Sequence, residues 1–289
     1  MRTMSTAHHA TDSDQSPEGR GLVGRITRLP MVWMLAGIAG IGLIQGLTTT
    51  RPGLLPLIGA ATAVAAYWAI MRFVARRRTP EIARRSAGRE TLLGGALGLG
   101  FVLVSTLVIT MFGGYSFSWA GRDVLPVALS AATVMACVAV AEELMFRGIA
   151  LQALEQLWSG RVALVLTALF FGGAHLFNPG ASMWSALAIT AEAGVLLGAA
   201  FLWRRSIWFV TGLHFAWNTT QQLLGIPVSG RAANGLLTAD VTGPDLLTGG
   251  TFGLDASIVS VVIGLLLAAP MLVLAHRRGA LTSPRRAHT

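Results

Sequence analysis

The sequence predicts an all-α polytopic membrane protein with about eight transmembrane helices. Of the 289 residues, 53% are hydrophobic and only 12% are charged, whereas a soluble domain usually carries about 25% charged residues. The mean hydropathy of +0.63 indicates the same class. Apolar stretches long enough to cross a bilayer, about 20 residues each, also recur along the whole chain.

Eight stretches qualify as spans, although the fifth and the seventh are short and interrupted by polar residues. They lie near Pro30–Leu47, Leu54–Val74, Leu92–Phe112, Val124–Met145, Val162–Phe177, Met183–Trp203, Ile207–Leu224 and Ala256–Ala275. We expect residues 1–29 to form a disordered cytoplasmic tail. Residues 30–123 should form the first membrane helices, residues 124–276 a second helix bundle, and residues 277–289 a basic cytoplasmic tail.

The arginines predict the orientation in the membrane. All 22 basic residues are arginines, and a cytoplasmic N-terminus would leave only Arg51, Arg122 and Arg231 in outer segments. Basic residues are enriched in cytoplasmic loops. The sequence therefore predicts an integral multi-pass protein with both termini in the cytoplasm. We expect the membrane to be a bacterial plasma membrane. The longest outer loop would cover residues 225–255.

Nucleic acid is not an expected partner, despite the formal net charge of +9. The arginines flank apolar spans and do not form a basic face interleaved with aromatic residues. The only cysteine, Cys137, lies in an apolar run, which excludes an intrachain disulfide and a thiolate zinc site.

A pair of glutamates ends the fourth apolar stretch, in the segment EELMFR. Residues four apart share one face of a helix, so Glu143 should pair with Arg147. Glu142 is rotated by about 100° from its neighbour, which leaves it free to act as a general base. Taken alone, the segment also fits a solvated acid pair at a helix end.

Two further polar segments follow on later spans. In FGGAH, His175 lies one turn after Phe171, and in HFAWN, His214 and Asn218 share one helix face. Each segment alone also fits a purely structural role: the first as an interfacial histidine, the second as a source of hydrogen bonds between helices. Together with Glu142 they suit peptide-bond hydrolysis, which needs an activated water and a donor for the oxyanion.

These three segments resemble the motifs of the CPBP family, the CAAX proteases and bacteriocin-processing enzymes, also called the ABI or type II CAAX prenyl endopeptidase family. The family pattern is EExxxR, FxxxH and HxxxN or HxxxD on successive membrane helices, and all three match here in order, over about residues 124–275. The resemblance implies a CAAX-protease-like helix bundle with a cavity open to the cytoplasmic half of the bilayer. It also implies an intramembrane endopeptidase that cleaves near the cytoplasmic leaflet.

The resemblance assigns roles to the matching residues. Glu142 becomes the water-activating base, with His175, His214 and Asn218 assisting and Phe171 packing the site. A single zinc or other divalent metal on His175, His214 and Glu142 is one option. No HExxH motif is present, and we favour a mechanism that requires no cofactor. The substrate would be a peptide or membrane protein, including prenylated ones.

Two alternatives and two structural expectations remain. The protein could be a non-catalytic scaffold or regulator that keeps the motif for stability, or a proton-coupled transporter. In the sixth span, Glu192 should either hydrogen-bond inside the bundle or line the cavity. The depths of the candidate residues agree best if the fourth helix continues to about Leu157, or breaks near Gly148.

Overall fold

The structure, a computed structural model, describes residues 29–50 and 53–282. The expected tail at residues 1–29 lies almost entirely outside the described residues, as do residues 283–289 of the expected basic tail. Most of the described chain is helical, in agreement with the predicted fold class.

Nine helices and two short strands follow one another along the described part of the chain. The helices are α1 (Pro30–Thr48), α2 (Leu55–Val74), α3 (Ala87–Met111), α4 (Val124–Leu157), α5 (Gly160–Phe177), α6 (Met183–Arg204), α7 (Ile207–Leu224), α8 (Asp245–Thr248) and α9 (Ile258–Arg277), and the strands are β1 (Tyr115–Trp119) and β2 (Leu237–Val241). Short 3-10 turns cover Pro80–Ile82, Arg84–Ser86, Gly250–Phe252 and Leu254–Ala256.

Seven of the described helices are long and apolar enough to cross a membrane, namely α1 to α6 and α9, with α3 extended by its preceding 3-10 turns. The eighth expected span, α7, is present with 18 residues but is less apolar than the other seven. It carries His214, Asn218 and Gln221 on buried positions. A helix that presents so many polar groups to the bundle interior is one that builds a site rather than one that faces lipid.

The two strands form a small antiparallel sheet that the sequence analysis did not predict. Tyr115 pairs with Val241 and Trp119 with Leu237. Within β1 the aromatic Tyr115 and Phe117 alternate with serines, which is the period-2 pattern of a half-buried strand. The loop at residues 225–255 is therefore folded and is joined to the connection between α3 and α4.

The expected continuation of the fourth helix is confirmed, because α4 runs without interruption to Leu157. Its segment Leu144–Leu151 is π-helical and entirely buried. A π-helical turn inserts extra backbone into a helix and is frequent at functional sites. Here it begins directly after Glu142 and Glu143 and includes Gly148, where a break was the other expectation.

Close helix packing holds the helices of the site together. Helices α3 and α7 form the most extensive helix–helix contact, and Gly94 and Gly98 of α3 lie directly on the backbone of α7. A Cβ atom on Gly94 would lie 1.9 Å from the carbonyl oxygen of Phe209. Small residues four apart permit this approach between membrane helices.

The helix ends form two opposite faces. The first, which we call the arginine-rich face, consists of residues 75–89, 157–161, 204–206 and 277–282. It is tied together by Arg205 with Glu155 at 2.6 Å and by Arg278 with the carbonyl of Trp203 at 2.6 Å. The second, the hairpin face, consists of residues 112–123, 177–182 and 225–257 and contains the sheet.

Candidate active site

Glu143 lies at the centre of the polar cluster. Its Oε1 accepts a hydrogen bond from Nη1 of Arg147 at 2.9 Å, the pairing that helix geometry predicted, and a second from Nδ1 of His214 at 2.8 Å. The side chain of Glu143 is fully buried. Helices α4 and α7 are thus joined at the site by a buried carboxylate between a guanidinium and an imidazole.

Arg147 extends this network to α6. Its Nη2 donates to the carbonyl oxygen of Ala193 at 3.0 Å and approaches that of Gly194 at 3.4 Å. Both residues belong to a π-helical turn, Thr190–Gly194, in which carbonyl groups are displaced from regular helix bonding. The guanidinium also lies over the ring of Phe171, 4.7 Å from its centre. Arg147 was counted among the cytoplasmic flanking residues by sequence, but it is buried inside the bundle.

Glu142 points away from this network and into a cavity. Its side chain is 18% exposed, and its Oε2 lies 3.9 Å from Nε2 of His214. Nε2 of Gln45, on α1, approaches its Oε1 at 3.4 Å. The two consecutive glutamates therefore have different environments, as the rotation between them predicted.

His175 and Phe171 form a tilted pair of rings at the end of α5. The Nδ1 of His175 donates to the carbonyl oxygen of Phe171 at 2.7 Å, and the two rings lie 4.7 Å apart. The ring of Phe171 also lies 6.3 Å from that of His214. Gly172 allows α5 to approach α6, since a Cβ atom there would lie 2.0 Å from Oγ1 of Thr190.

All four candidate catalytic residues line one cavity of about 440 Å³. They are Glu142, His175, His214 and Asn218. The volume lies within the range of ordinary ligand sites. The structure thus brings together the residues that three separate sequence segments singled out, while their catalytic roles stay predictions.

The described residues offer no three-ligand set for a metal. No group of three or more His, Cys, Asp or Glu side chains in residues 29–50 and 53–282 is arranged to hold one ion. The Nδ1–H groups of both site histidines donate, His175 to the carbonyl of Phe171 and His214 to Glu143, so only Nε2 of each ring is free. The structure does not bring His175, His214 and Glu142 together as one such group.

Asp255 is a site residue that the sequence analysis missed. It is buried and lines the cavity. Its Oδ1 accepts from Trp217 Nε1 at 2.9 Å and from Gln221 Nε2 at 2.7 Å. Its Oδ2 accepts from the backbone and the hydroxyl of Ser229 at 3.0 and 2.7 Å. Asp255 was assigned to an outer loop, yet its position just before an apolar span was a usable signal for a buried acid.

Gln45 was missed as well, although an amide inside an otherwise apolar span was visible in the sequence. Polar groups within spans tend to face the interior of the bundle. The position of Gln45 beside Glu142 agrees with that rule.

The structure contradicts both expectations for Glu192. It is completely buried, and neither carboxyl oxygen has a hydrogen-bond partner among the described residues. It is not part of the cavity lining, although its neighbour Ala193 is. The π-helical turn directs it instead against α9, where a Cβ atom on Gly264 would lie 3.0 Å from its own Cβ.

The cavity extends from Glu142 toward the hairpin face. Its lining includes Asn178, Ser229 and Arg231, and Nδ2 of Asn178 donates to the carbonyl of Ser229 at 3.0 Å. Toward the arginine-rich face, by contrast, the π-helical segment Leu144–Leu151 is buried throughout. Two expectations therefore conflict: the arginine-rich face and the mouth of the cavity cannot both be cytoplasmic.

Comparison with known proteins agrees with the resemblance seen in the motifs. Residues 123–220 match the model of the family described as "Type II CAAX prenyl endopeptidase Rce1-like". The matched segment is about a third of the chain and contains EELMFR, FGGAH and HFAWN. No curated protein and no solved structure matches the chain.

Proposed function

We propose that this chain, whose residues 123–220 match the model of the Rce1-like type II CAAX prenyl endopeptidase family, is an intramembrane endopeptidase with Glu142 as its base. The supporting observation is that Glu142, His175, His214 and Asn218, from three helices, line one cavity inside the bundle. The substrate is a segment of a peptide or membrane protein that enters this cavity. The match to this family model supports protease activity, and the roles of the single residues are part of the proposal.

Glu142 is the group that removes a proton from water. It is the cavity-facing member of the glutamate pair, and its Oε2 is directed at His214 across 3.9 Å. A carboxylate in such a position accepts the water proton as the oxygen attacks the peptide carbonyl. The same carboxyl then gives this proton to the departing amine, so the peptide C–N bond breaks and Glu142 returns to its starting form.

The hydrogen bonds of the two histidines restrict their protonation. Because Nδ1 of His175 donates to the carbonyl of Phe171, neutral His175 presents the lone pair of Nε2 to the cavity and can orient the water. Nδ1 of His214 likewise donates to Glu143. A proton must then lie between Nε2 of His214 and the Glu142 carboxylate, on one of the two groups or on a bridging water, since two acceptors repel.

The oxyanion requires donors, and Asn218 supplies one. It follows His214 by one helical turn on the same face of α7 and is buried at the cavity wall. Its amide nitrogen, together with Nε2–H of a protonated His214, would stabilise the negative oxygen of the tetrahedral intermediate. Removal of one such donor typically lowers kcat by about 10²–10³-fold.

The test is proteolysis of an internally quenched peptide library by the purified full-length protein in liposomes. Glu142→Gln and His175→Ala should each abolish measurable cleavage while the melting temperature stays near that of the parent. Glu155→Gln is the matched control, because Glu155 is on the same helix but pairs with Arg205 at the arginine-rich face. Full activity in both site variants would overturn the assigned roles. A folded parent without any activity would favour the scaffold alternative.

A further inference from the structure

We infer that the cavity opens on the side of the membrane opposite the cytoplasm, so that its substrate is a peptide segment exposed outside the cytoplasm. The substrate class rests on the proposed protease function. The orientation does not, because it follows from where the arginines and the cavity mouth lie. It replaces the expectation of cleavage near the cytoplasmic leaflet.

The first observation is the separation of charge between the two faces. The hairpin face carries Arg122 and Arg231 among its described residues, accompanied by exposed Asp123, Asp240 and Asp245. The arginine-rich face carries Arg76, Arg77, Arg78, Arg84, Arg85, Arg89, Arg161, Arg204, Arg205, Arg277 and Arg278. A bias of this size in short connections sets the orientation of a multi-pass protein and puts the arginine-rich face in the cytoplasm.

The structure strengthens this assignment, because it shows that these segments do share one face. Arg204 at the end of α6 pairs with Glu90 at the start of α3, its Nε lying 3.0 Å from Oε2. Arg205 pairs with Glu155 near the end of α4. A Cβ atom on Gly160, at the start of α5, would lie 2.0 Å from the carbonyl oxygen of Ala280, just beyond α9. The excess of arginines therefore lies on one surface of the structure. This result does not depend on the assumption that successive spans alternate in direction.

The second observation is that the cavity reaches only the other face. Asn178, Ser229 and Arg231 at its mouth are partly or fully exposed and belong to the hairpin face. Arg122 donates to the carbonyl of Gly235 at 2.9 Å, which fixes the connection beside this mouth. None of the described lining residues belongs to the arginine-rich face.

The route from Glu142 toward the cytoplasm is closed by packing. All eight residues of Leu144–Leu151 are buried. Below them Tyr67 hydrogen-bonds to Glu81 and to the carbonyl of Gly148, while Arg77 pairs with Glu81 at 2.9 Å. A peptide in the cytoplasm would have to displace these packed side chains. A peptide on the other side of the membrane reaches the open, partly polar mouth of the cavity directly. Segments of secreted or membrane-anchored polypeptides next to the outer surface have the required access, and prenylated tails in the cytoplasm do not.

Single-cysteine labelling tests the orientation without any need for activity. In a Cys137→Ala background, Arg231→Cys reports the mouth, Ser118→Cys the neighbouring strand and Arg161→Cys the opposite face; all three positions are exposed. A membrane-impermeant maleimide applied to intact spheroplasts should label positions 231 and 118. Position 161 should react only after permeabilisation. The reverse pattern overturns the inference, and Ser118→Cys decides the matter if Arg231→Cys does not fold.

A second measurement links orientation to substrate access. In liposomes, the impermeant quenched peptides should be cleaved from outside, and a bulky maleimide on Arg231→Cys should reduce this cleavage at least tenfold. The same label on Arg161→Cys should leave it unchanged. Loss with the Arg161→Cys label alone would overturn the proposed route. If no variant cleaves while the labelling pattern is as expected, the protease proposal fails and the orientation stands.

Discussion

The Nδ1–H group of His214 donates to Oε1 of Glu143 at 2.8 Å, so the second glutamate of the pair holds a histidine that is 71 residues away in the chain. The same oxygen accepts from Arg147. One glutamate therefore faces the cavity and its neighbour holds the helices together. Replacement of Glu143 should therefore reduce stability, whereas replacement of Glu142 should reduce cleavage.

Glu143→Gln should strongly reduce the stability of the folded protein. The amide leaves the buried Arg147 without its counter-charge, and breaking a buried ion pair on one side costs about 3–5 kcal/mol. Thermal unfolding in detergent should show a clear fall in melting temperature. Glu155→Gln, which breaks a partly exposed pair, should cost at most about 1 kcal/mol. Equal shifts in the two variants would contradict the structural role of Glu143.

Asp255→Asn should slow cleavage by acting through α7. The carboxylate accepts four hydrogen bonds, two of them from Trp217 and Gln221, and an amide cannot accept at both of its atoms. A donor left unpaired in a buried site costs about 1–3 kcal/mol. Because Trp217 precedes Asn218, we expect kcat to fall about tenfold with little change in KM.

The control for that variant is Asp240→Asn, on the exposed side of β2. It should leave both kcat and the melting temperature unchanged. A purely structural role of Asp255 would lower the melting temperature and leave the kcat of the folded fraction intact, which would contradict positioning of the oxyanion donor.

The motif residues and the long helices could be predicted from sequence because both rest on local spacing. The pairing of Glu143 with Arg147 follows from a four-residue interval, and the continuation of α4 to Leu157 follows from the depth of Glu142. Hydropathy also found α7, although its polar residues make it less apolar than the seven other helices.

Long-range contacts could not be predicted, because no local pattern encodes them. The bond from His214 to Glu143 and the four donors on Asp255 depend on how distant helices pack. The π-helical turn at Thr190–Gly194 reorients Glu192 away from the cavity, a change that a regular 3.6-residue period cannot anticipate. The direction of the cavity also required the faces to be assembled in three dimensions.

Metal removal should leave the activity unchanged if hydrolysis depends on Glu142 without a cofactor. No group of three or more His, Cys, Asp or Glu side chains among the described residues is arranged to hold one ion. Prolonged dialysis against a strong chelator, with the metal content followed by mass spectrometry, is the measurement. A loss of cleavage that added zinc restores, and that calcium does not, would contradict the metal-independent mechanism.

Glu192→Met should raise stability and leave cleavage unchanged. The two carboxyl oxygens are buried without a partner among the described residues, and an unsatisfied buried polar group costs about 1–3 kcal/mol. Methionine has a similar length and removes this cost, so the melting temperature should increase by a few degrees. Activity should stay within twofold, because Glu192 does not line the cavity.

The same variant tests the transporter alternative: proton flux into liposomes that is present in the parent and lost in Glu192→Met would give this buried acid a transport role. Glu142→Met provides the contrast, since its side chain faces an open cavity and its replacement should abolish cleavage without a gain in stability.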